Sequence, residues 1–369
     1  MYAKKMLHRM LAIILAAVIL IFAYNIFYPR YVKTEDFIKK YMTNPNGTLS
    51  TYLIATQYVS PDIAHSRESL SESLGLWMQY AIVKQDQSIF ENCYVVLNDY
   101  FLSPEDFVYW KISWDGRSDV TTNALIDDLR IIDALLTAEQ VWGQAKWGQT
   151  ARQIGRFMAT HLVKDGRLVD FYDSKYNNSS DSITLSYLEP QALEKLRDCG
   201  ILENTVYDQS IELIGTIPDD GVFFPKAYNV KAKNYTYDTA VNLVDQLLIA
   251  RYRMHLGIDS PGLYAFVRDE YYNKGIIYGG YDRTTRTPGE FSESPAVYAL
   301  AILYSLERGD NGFAVDLYKR MVRFRTQSGN YTGGYVTNGQ THIFDNLYPL
   351  LAEIRLYKTK LLLFRLPWD

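Results

Sequence analysis

The chain has 369 residues, of which 48% are hydrophobic and 22% charged, with a formal net charge of −4. That length buries a sizeable core, and with no basic excess nothing invites nucleic acid. Two cysteines far apart, Cys93 and Cys199, and five scattered histidines give no zinc-like spacing. No metal or organic cofactor is therefore expected, and whether the two cysteines are bonded stays open.

The first element is an apolar run. Lys4, Lys5 and Arg9 precede an uncharged stretch from Leu11 to Phe27. With its flanks, residues 10–28, it has the length of a membrane helix rather than of a cleaved signal, and no small-residue cleavage site follows. The positive residues lie before the span, so residues 1–9 stay in the cytoplasm and the rest lies outside. The expectation is a single-pass cell-membrane protein with its main domain extracellular. Residues 29–50 read as a linker with a short amphipathic helix, and residues 51–369 as the domain proper.

From there the chain alternates helix and loop. Apolar periodicity predicts helices over 69–84, 86–101, 123–142, 147–162, 190–199, 205–215, 236–256, 259–270, 292–308, 311–327 and 342–358. Loops such as "WDGRSD" and "IPDDG" separate them. Short strands are confined to "GRLVDFYD", "GVFFPKAYN" and "GGYVTN". With no βαβ alternation the domain is all-α, either a closed α/α toroid or an open solenoid. The 31 tyrosines, with 6 tryptophans and 16 phenylalanines, suit helix packing and also a cleft that stacks sugar rings.

Three acids stand out in this frame. Glu72 lies in the first turn of its helix, where Ser69-Leu-Ser-Glu72 fits a capping box. Asp128 lies within an apolar arc formed by Ala124, Ile131, Leu135 and Ala138 on one side and Leu125, Leu129, Ile132 and Leu136 on the other. The same wheel puts Asp127, Arg130, Asp133 and Thr137 on a solvated side. A buried carboxylate needs a partner or a task. Asp238 follows a tyrosine-rich loop at a predicted helix start, as an N-cap or a reactive group. Asp245 is two turns deeper, with an internal salt bridge as its structural alternative. Carboxylates flanking a cleft suit glycosidic bond cleavage, in which one donates a proton and a second activates water or attacks.

The residues around these acids resemble glycoside hydrolase family 8. Its first block, approximately S-E-G-x-G-Y-G-M, is matched by Ser71, Glu72, Gly75 and Met78. Its second, roughly A-[ST]-D-[AG]-D-x-x-[IM]-A, is matched across "ALIDDLRIIDALLTAEQVW" by Ala124, Asp128, Ile131, Ala134, Leu135, Leu136, Ala138 and Trp142. Ile126 stands where that block has its first Asp, and Asp127 where it has a small residue. The third block, Y-D-A-x-R, keeps Tyr237 and Asp238 but has Val241 in place of Arg. The resemblance implies an (α/α)6 toroid and inverting chemistry. Glu72 would be the general acid, Asp238 the general base and Asp128 the group that positions sugar or water, with Asp245 the alternative base. Trp77, Trp110, Tyr187 and Tyr237 would line subsites. The membrane-anchored PssZ-like branch of the family implies an endo-acting enzyme. It would cut a β-linked exopolysaccharide, β-1,4-linked or containing N-acetylhexosamine, as a monomer beside the membrane synthesis machinery in biofilm formation. The other reading is a non-catalytic polysaccharide-binding or assembly protein descended from such an enzyme.

Overall fold

The structure, a computed structural model, describes residues 6, 8–11, 15, 29–57, 62–289 and 292–361. The expected membrane span at 10–28 lies, apart from residues 10, 11 and 15, outside the described residues. Among those described, no helix is long and apolar enough to cross a membrane.

Twelve α-helices carry the described fold: α1 (Arg30–Tyr41), α2 (Ser71–Lys84), α3 (Gln87–Val96), α4 (Leu125–Trp142), α5 (Ala145–His161), α6 (Pro190–Asp198), α7 (Asn204–Thr216), α8 (Leu243–His255), α9 (Pro261–Asp269), α10 (Pro295–Glu307), α11 (Asn311–Met321) and α12 (Phe344–Lys358). They alternate between two layers. The even-numbered helices form an inner ring in which α2 packs on α4, α4 on α6, α8 on α10, α10 on α12 and α12 on α2. The 3-10 turn Leu185–Tyr187 bridges toward α8. A cavity of about 720 Å³ runs along the ring axis, and all six inner helices line it through residues such as Gln79, Asp133, Gln191, Arg251, Glu307 and Arg355. Most of these residues come from the middle or C-terminal part of their helices, so the inner helices run the same way. Their N-termini gather at the opposite end of the ring.

The strands are short and pair locally. Ser69–Leu70 pairs with Lys111–Ile112, Ala240–Asn242 with Gly280–Asp282, and Ser182–Thr184, Ala227–Asn229 and Asn234–Thr236 form a three-stranded antiparallel sheet. The predicted helix over 236–256 is shorter at its start, because Thr236 and residues 240–242 are in strands. The helix opens at Leu243 with Asn242 as N-cap, its side chain accepting from the Val244 N–H at 2.9 Å. "GGYVTN" forms only isolated bridges, Arg325 with Tyr335 and Thr337 with Gln340. Cys93 is buried, Cys199 is exposed, and both are free thiols.

The helix expected within a linker is the twelfth member of the toroid. α1 packs on α12 as its outer partner. Phe37 and Ile38 are fully buried, and the Phe37 ring lies where a Cβ on Gly334 would stand. Glu353, buried in α12, accepts from Thr34 Oγ1 at 2.9 Å, Arg325 Nη1 at 2.6 Å and Tyr335 Oη at 2.8 Å. A carboxylate so placed is stable only with all its partners. The protein beginning at residue 30 is therefore expected to keep its cooperative melting transition. Phe37→Ala should cost about 3–5 kcal/mol in urea denaturation. Unchanged stability in that variant would make α1 an appendage.

Candidate active site

Glu72 enters α2 from the Ser69–Leu70 strand. The capping box does not form: Leu70 is the N-cap, with no side-chain bond, and the Ser69 hydroxyl is taken up by Asn44 at 3.1 Å and Thr48 at 2.8 Å. The helix start is instead capped from outside. Asp127 of α4 accepts from the Ser71 hydroxyl at 2.7 Å and from the Glu72 backbone N–H. One turn further along α4, Arg130 Nη1 lies 3.2 Å from Glu72 Oε1 and 3.5 Å from Asp127 Oδ1, while its Nη2 donates to Tyr348 Oη at 3.0 Å. Gly75 permits this approach, since a Cβ there would stand 3.1 Å from the Cβ of Arg130.

Asp127 and Arg130 therefore do not face bulk solvent, as the helical wheel suggested. Both are buried. An inner helix of a toroid has the outer layer on one side and the ring axis on the other, so even its polar residues are enclosed. Burial, with the Glu72 charge adding to it, raises the Asp127 carboxyl to about 7 against the opposing pull of Arg130.

Asp128 is buried with a partner, as its place in the apolar arc implied. It has no exposed surface and accepts from Asn123 Nδ2 at 2.6 Å, with Asn123 Oδ1 in turn accepting from the Tyr172 N–H. Burial holds its carboxyl well above the usual range. It faces the interior behind the site, whereas the α4 carboxylate beside Glu72 is Asp127.

Asp238 lies in the turn between two strands rather than at a helix start. Arg283 holds it: Nη2 is 2.8 Å from Asp238 Oδ1, and Nε donates to the Asp238 carbonyl at 2.8 Å. The same guanidinium bonds the Phe224 carbonyl at 2.8 Å and Asp220 at 3.0 Å. Arg283 thus supplies from the neighbouring strand the cation that the family motif would place at 241. Val241 itself is fully buried, opposite Tyr281. Asp245, in the first turn of α8, accepts from Ser186 Oγ at 2.7 Å. Burial raises its carboxyl, and Asp238 and Glu72 act in the same direction.

Tyr187 marks where these groups converge. Its hydroxyl is raised chiefly by burial and then by Asp127, Asp170, Asp245 and Glu72. Asp170 accepts from the Thr184 N–H at 2.6 Å and its hydroxyl at 2.9 Å, and burial lifts it to about 6. His342, before α12, accepts at Nδ1 from the Phe344 N–H at 3.1 Å. Burial lowers its basicity while Glu72 and Asp345 oppose that. Among the described residues no His, Cys, Asp and Glu group is arranged to hold a metal ion.

The four predicted aromatics separate. Trp77 is only 8% exposed and stacks on Tyr80 at 5.0 Å within the core, because its α2 face points to the outer layer and not to the cleft. Trp110 is half-buried, and its carbonyl accepts from the Ser71 N–H at 3.1 Å. Tyr187 lies among the acids. Tyr237 is 54% exposed, with the Arg283 guanidinium 5.3 Å from its ring centre. Trp114, Phe171 and Tyr176 are exposed on nearby loops. The loops carrying them meet where Ser174 N–H bonds the Thr121 carbonyl at 2.9 Å. Their signal, aromatics within the polar stretches "SWDG" and "DFYDSKYNN", was present in the sequence.

No family model matches the chain. YdaJ of Bacillus subtilis (strain 168), named as a lipoprotein, is 37% identical over 332 residues, covering 89% of this chain and 88% of that protein. PssZ from Listeria monocytogenes superposes with a TM-score of 0.71 at 26% identity, over 87% of this chain and 94% of that one. A structure described as a novel alpha-amylase from Clostridium perfringens gives 0.80 at 21% identity, over 88% and 97%. Endoglucanase Cel10 from Klebsiella pneumoniae, a family 8 glycosyl hydrolase, gives 0.62 at 15%, over 89% and 99%.

Because their environments differ, Asp127 and Asp128 should respond oppositely to amidation. Asp127→Asn is expected to lower turnover about 10²-fold or more, whereas Asp128→Asn should leave turnover within about threefold. An unfolded aspartate ionises near pH 3.9, but folded Asp128 keeps its proton to higher pH. Its burial thus costs stability progressively as pH rises above about 4. Asp128→Asn should therefore be the more stable protein at pH 7 and lose that advantage toward pH 4. Urea melts at both pH values check this, and a destabilised Asp128→Asn at pH 7 would show an ionised group there.

Proposed function

Since the chain belongs to the family of YdaJ and carries the fold of glycoside hydrolase family 8 in a PssZ-like form, we propose that it is an endo-acting, inverting glycoside hydrolase of a cell-surface polysaccharide. The observation that supports this most is the placement of Glu72. It is a partly exposed carboxyl, 28% accessible, fixed at the end of the ring where the inner helices begin and where Asp238, Asp245 and Tyr187 also lie. Glu72 protonates the leaving glycosidic oxygen. Asp238, oriented by Arg283, takes a proton from the water that attacks the opposite face of the sugar. Asp127 takes the positioning role that the motif reading gave to Asp128. Trp110, Tyr187 and Tyr237 border the substrate path, and the exposed Trp114, Phe171 and Tyr176 extend it outward.

The substrate is a β-linked exopolysaccharide, and β-1,4-linked and N-acetylhexosamine-containing chains are the first to test. The fold is shared by an alpha-amylase and by endoglucanases, so the loops and not the ring select the sugar. The enzyme acts outside the membrane, as a monomer beside the synthesis machinery, held by residues 10–28.

Reducing-end release from carboxymethylcellulose, xylan, soluble starch and poly-N-acetylglucosamine tests the reading. Glu72→Gln should lose about 10²- to 10⁴-fold in turnover with an unchanged melting temperature, because the amide oxygen still accepts from Arg130. Asp238→Asn should lose as much, while Asp245→Asn should act mainly on stability. Polysaccharide binding without Glu72-dependent release from any substrate would favour the non-catalytic protein instead.

A further inference from the structure

α4 holds Glu72 in two places. Asp127 accepts from its backbone N–H and from the preceding Ser71 hydroxyl, and Arg130 contacts its carboxylate at 3.2 Å. Arg130 is itself fixed. It is 3% exposed, is bonded to Tyr348, and is enclosed by Gly75 and the α2 backbone. The family motif as read from the sequence leaves position 130 unspecified, so nothing in it assigns this residue.

Building on the reading of Glu72 as the acid, we propose that Arg130 is the residue that positions that acid and stabilises the charge it acquires. In the reaction the Glu72 O–H proton moves to the glycosidic oxygen, and the C–O bond breaks with its electron pair going to that oxygen. Water adds to the anomeric carbon and loses a proton to the base. Glu72 is neutral before this step and a carboxylate after it. A guanidinium within 3.2 Å therefore interacts more strongly with the transition state than with the ground state, the condition for catalysis. The same cation also favours early loss of the Glu72 proton. The titratable groups that face Glu72 and Arg130 are Asp127 of α4, Asp245 of α8, the Tyr187, Tyr348 and Tyr252 hydroxyls, His342 before α12 and Glu189 before α6.

The test compares Arg130→Gln and Arg130→Lys with the parent in the full chain, on whichever of the four polysaccharides shows Glu72-dependent release. Arg130→Gln should lower kcat about 10²- to 10³-fold, the cost of removing one such donor, with KM changed less than about threefold. It should also move the alkaline limb of the kcat/KM profile to higher pH. Arg130→Lys should recover at least about tenfold of the lost kcat and return the limb toward the parent position. Infrared difference titration of the carboxyl bands needs no substrate. One band should ionise at higher pH in Arg130→Gln than in the parent, and Glu72→Gln in the Arg130→Gln background should remove it. An unmoved limb and unmoved bands, or equal activity in the Lys and Gln variants, would overturn the proposal and leave Arg130 a packing residue. Full turnover in Glu72→Gln would instead defeat the underlying assignment of the acid.

Discussion

The site depends on how closely α2 and α4 approach each other. Gly75 leaves space for the Arg130 stem, with only 3.1 Å to where a Cβ would stand. That distance lets Asp127 reach the Glu72 N–H and the Ser71 hydroxyl and lets Arg130 reach the Glu72 carboxylate. The N-terminus of α2 has no side-chain cap of its own, so its Glu72 N–H and its partial positive charge are met by a carboxylate from the next inner helix. A helix end, an ion pair and a candidate acid are therefore one construction. A side chain at position 75 would disturb all three.

Much of the fold was legible because inner helices of a toroid are long and strongly apolar. The periodicity located α2, α4, α10 and α12 within a few residues. What the pattern could not show was the meaning of the polar side. Asp127, Arg130 and Asp133 fall on one face of α4, and a wheel reads such a face as solvated. In a closed ring it borders the axial cavity and the packed end of α2. The motif comparison aligned Asp128 with the acid of its second block. Asp128 is enclosed with Asn123, and the adjacent residue is the one that meets Glu72.

Other features were illegible because they join distant parts of the chain. α1 reads as a short amphipathic segment, and only its contacts with Glu353 and Gly334, some 300 residues away, make it part of the ring. The motif arginine missing at 241 is replaced by Arg283, which no local pattern connects to Asp238. Trp77, chosen for its aromatic ring, is buried and stacks on Tyr80, on the side of α2 turned away from the Glu72 carboxyl that Arg130 meets. Periodicity defines an element's apolar face, and closure of the ring decides what that face meets.

On the proposed reading the chemistry is divided across the open end of the ring. α2 and α4 supply the Glu72 carboxyl with its cap and its counter-cation. The loop before α8 supplies a second carboxylate, oriented by Arg283, with Asp245 buried behind it. In this arrangement water is proposed to be activated on the opposite side of the sugar from Glu72. Proton NMR of the first-formed product, recorded before mutarotation, tests this directly. The new reducing end should have the anomeric configuration opposite to that of the bond cleaved. A product that retains the configuration would contradict it, because a carboxylate would then have attacked the sugar in place of water.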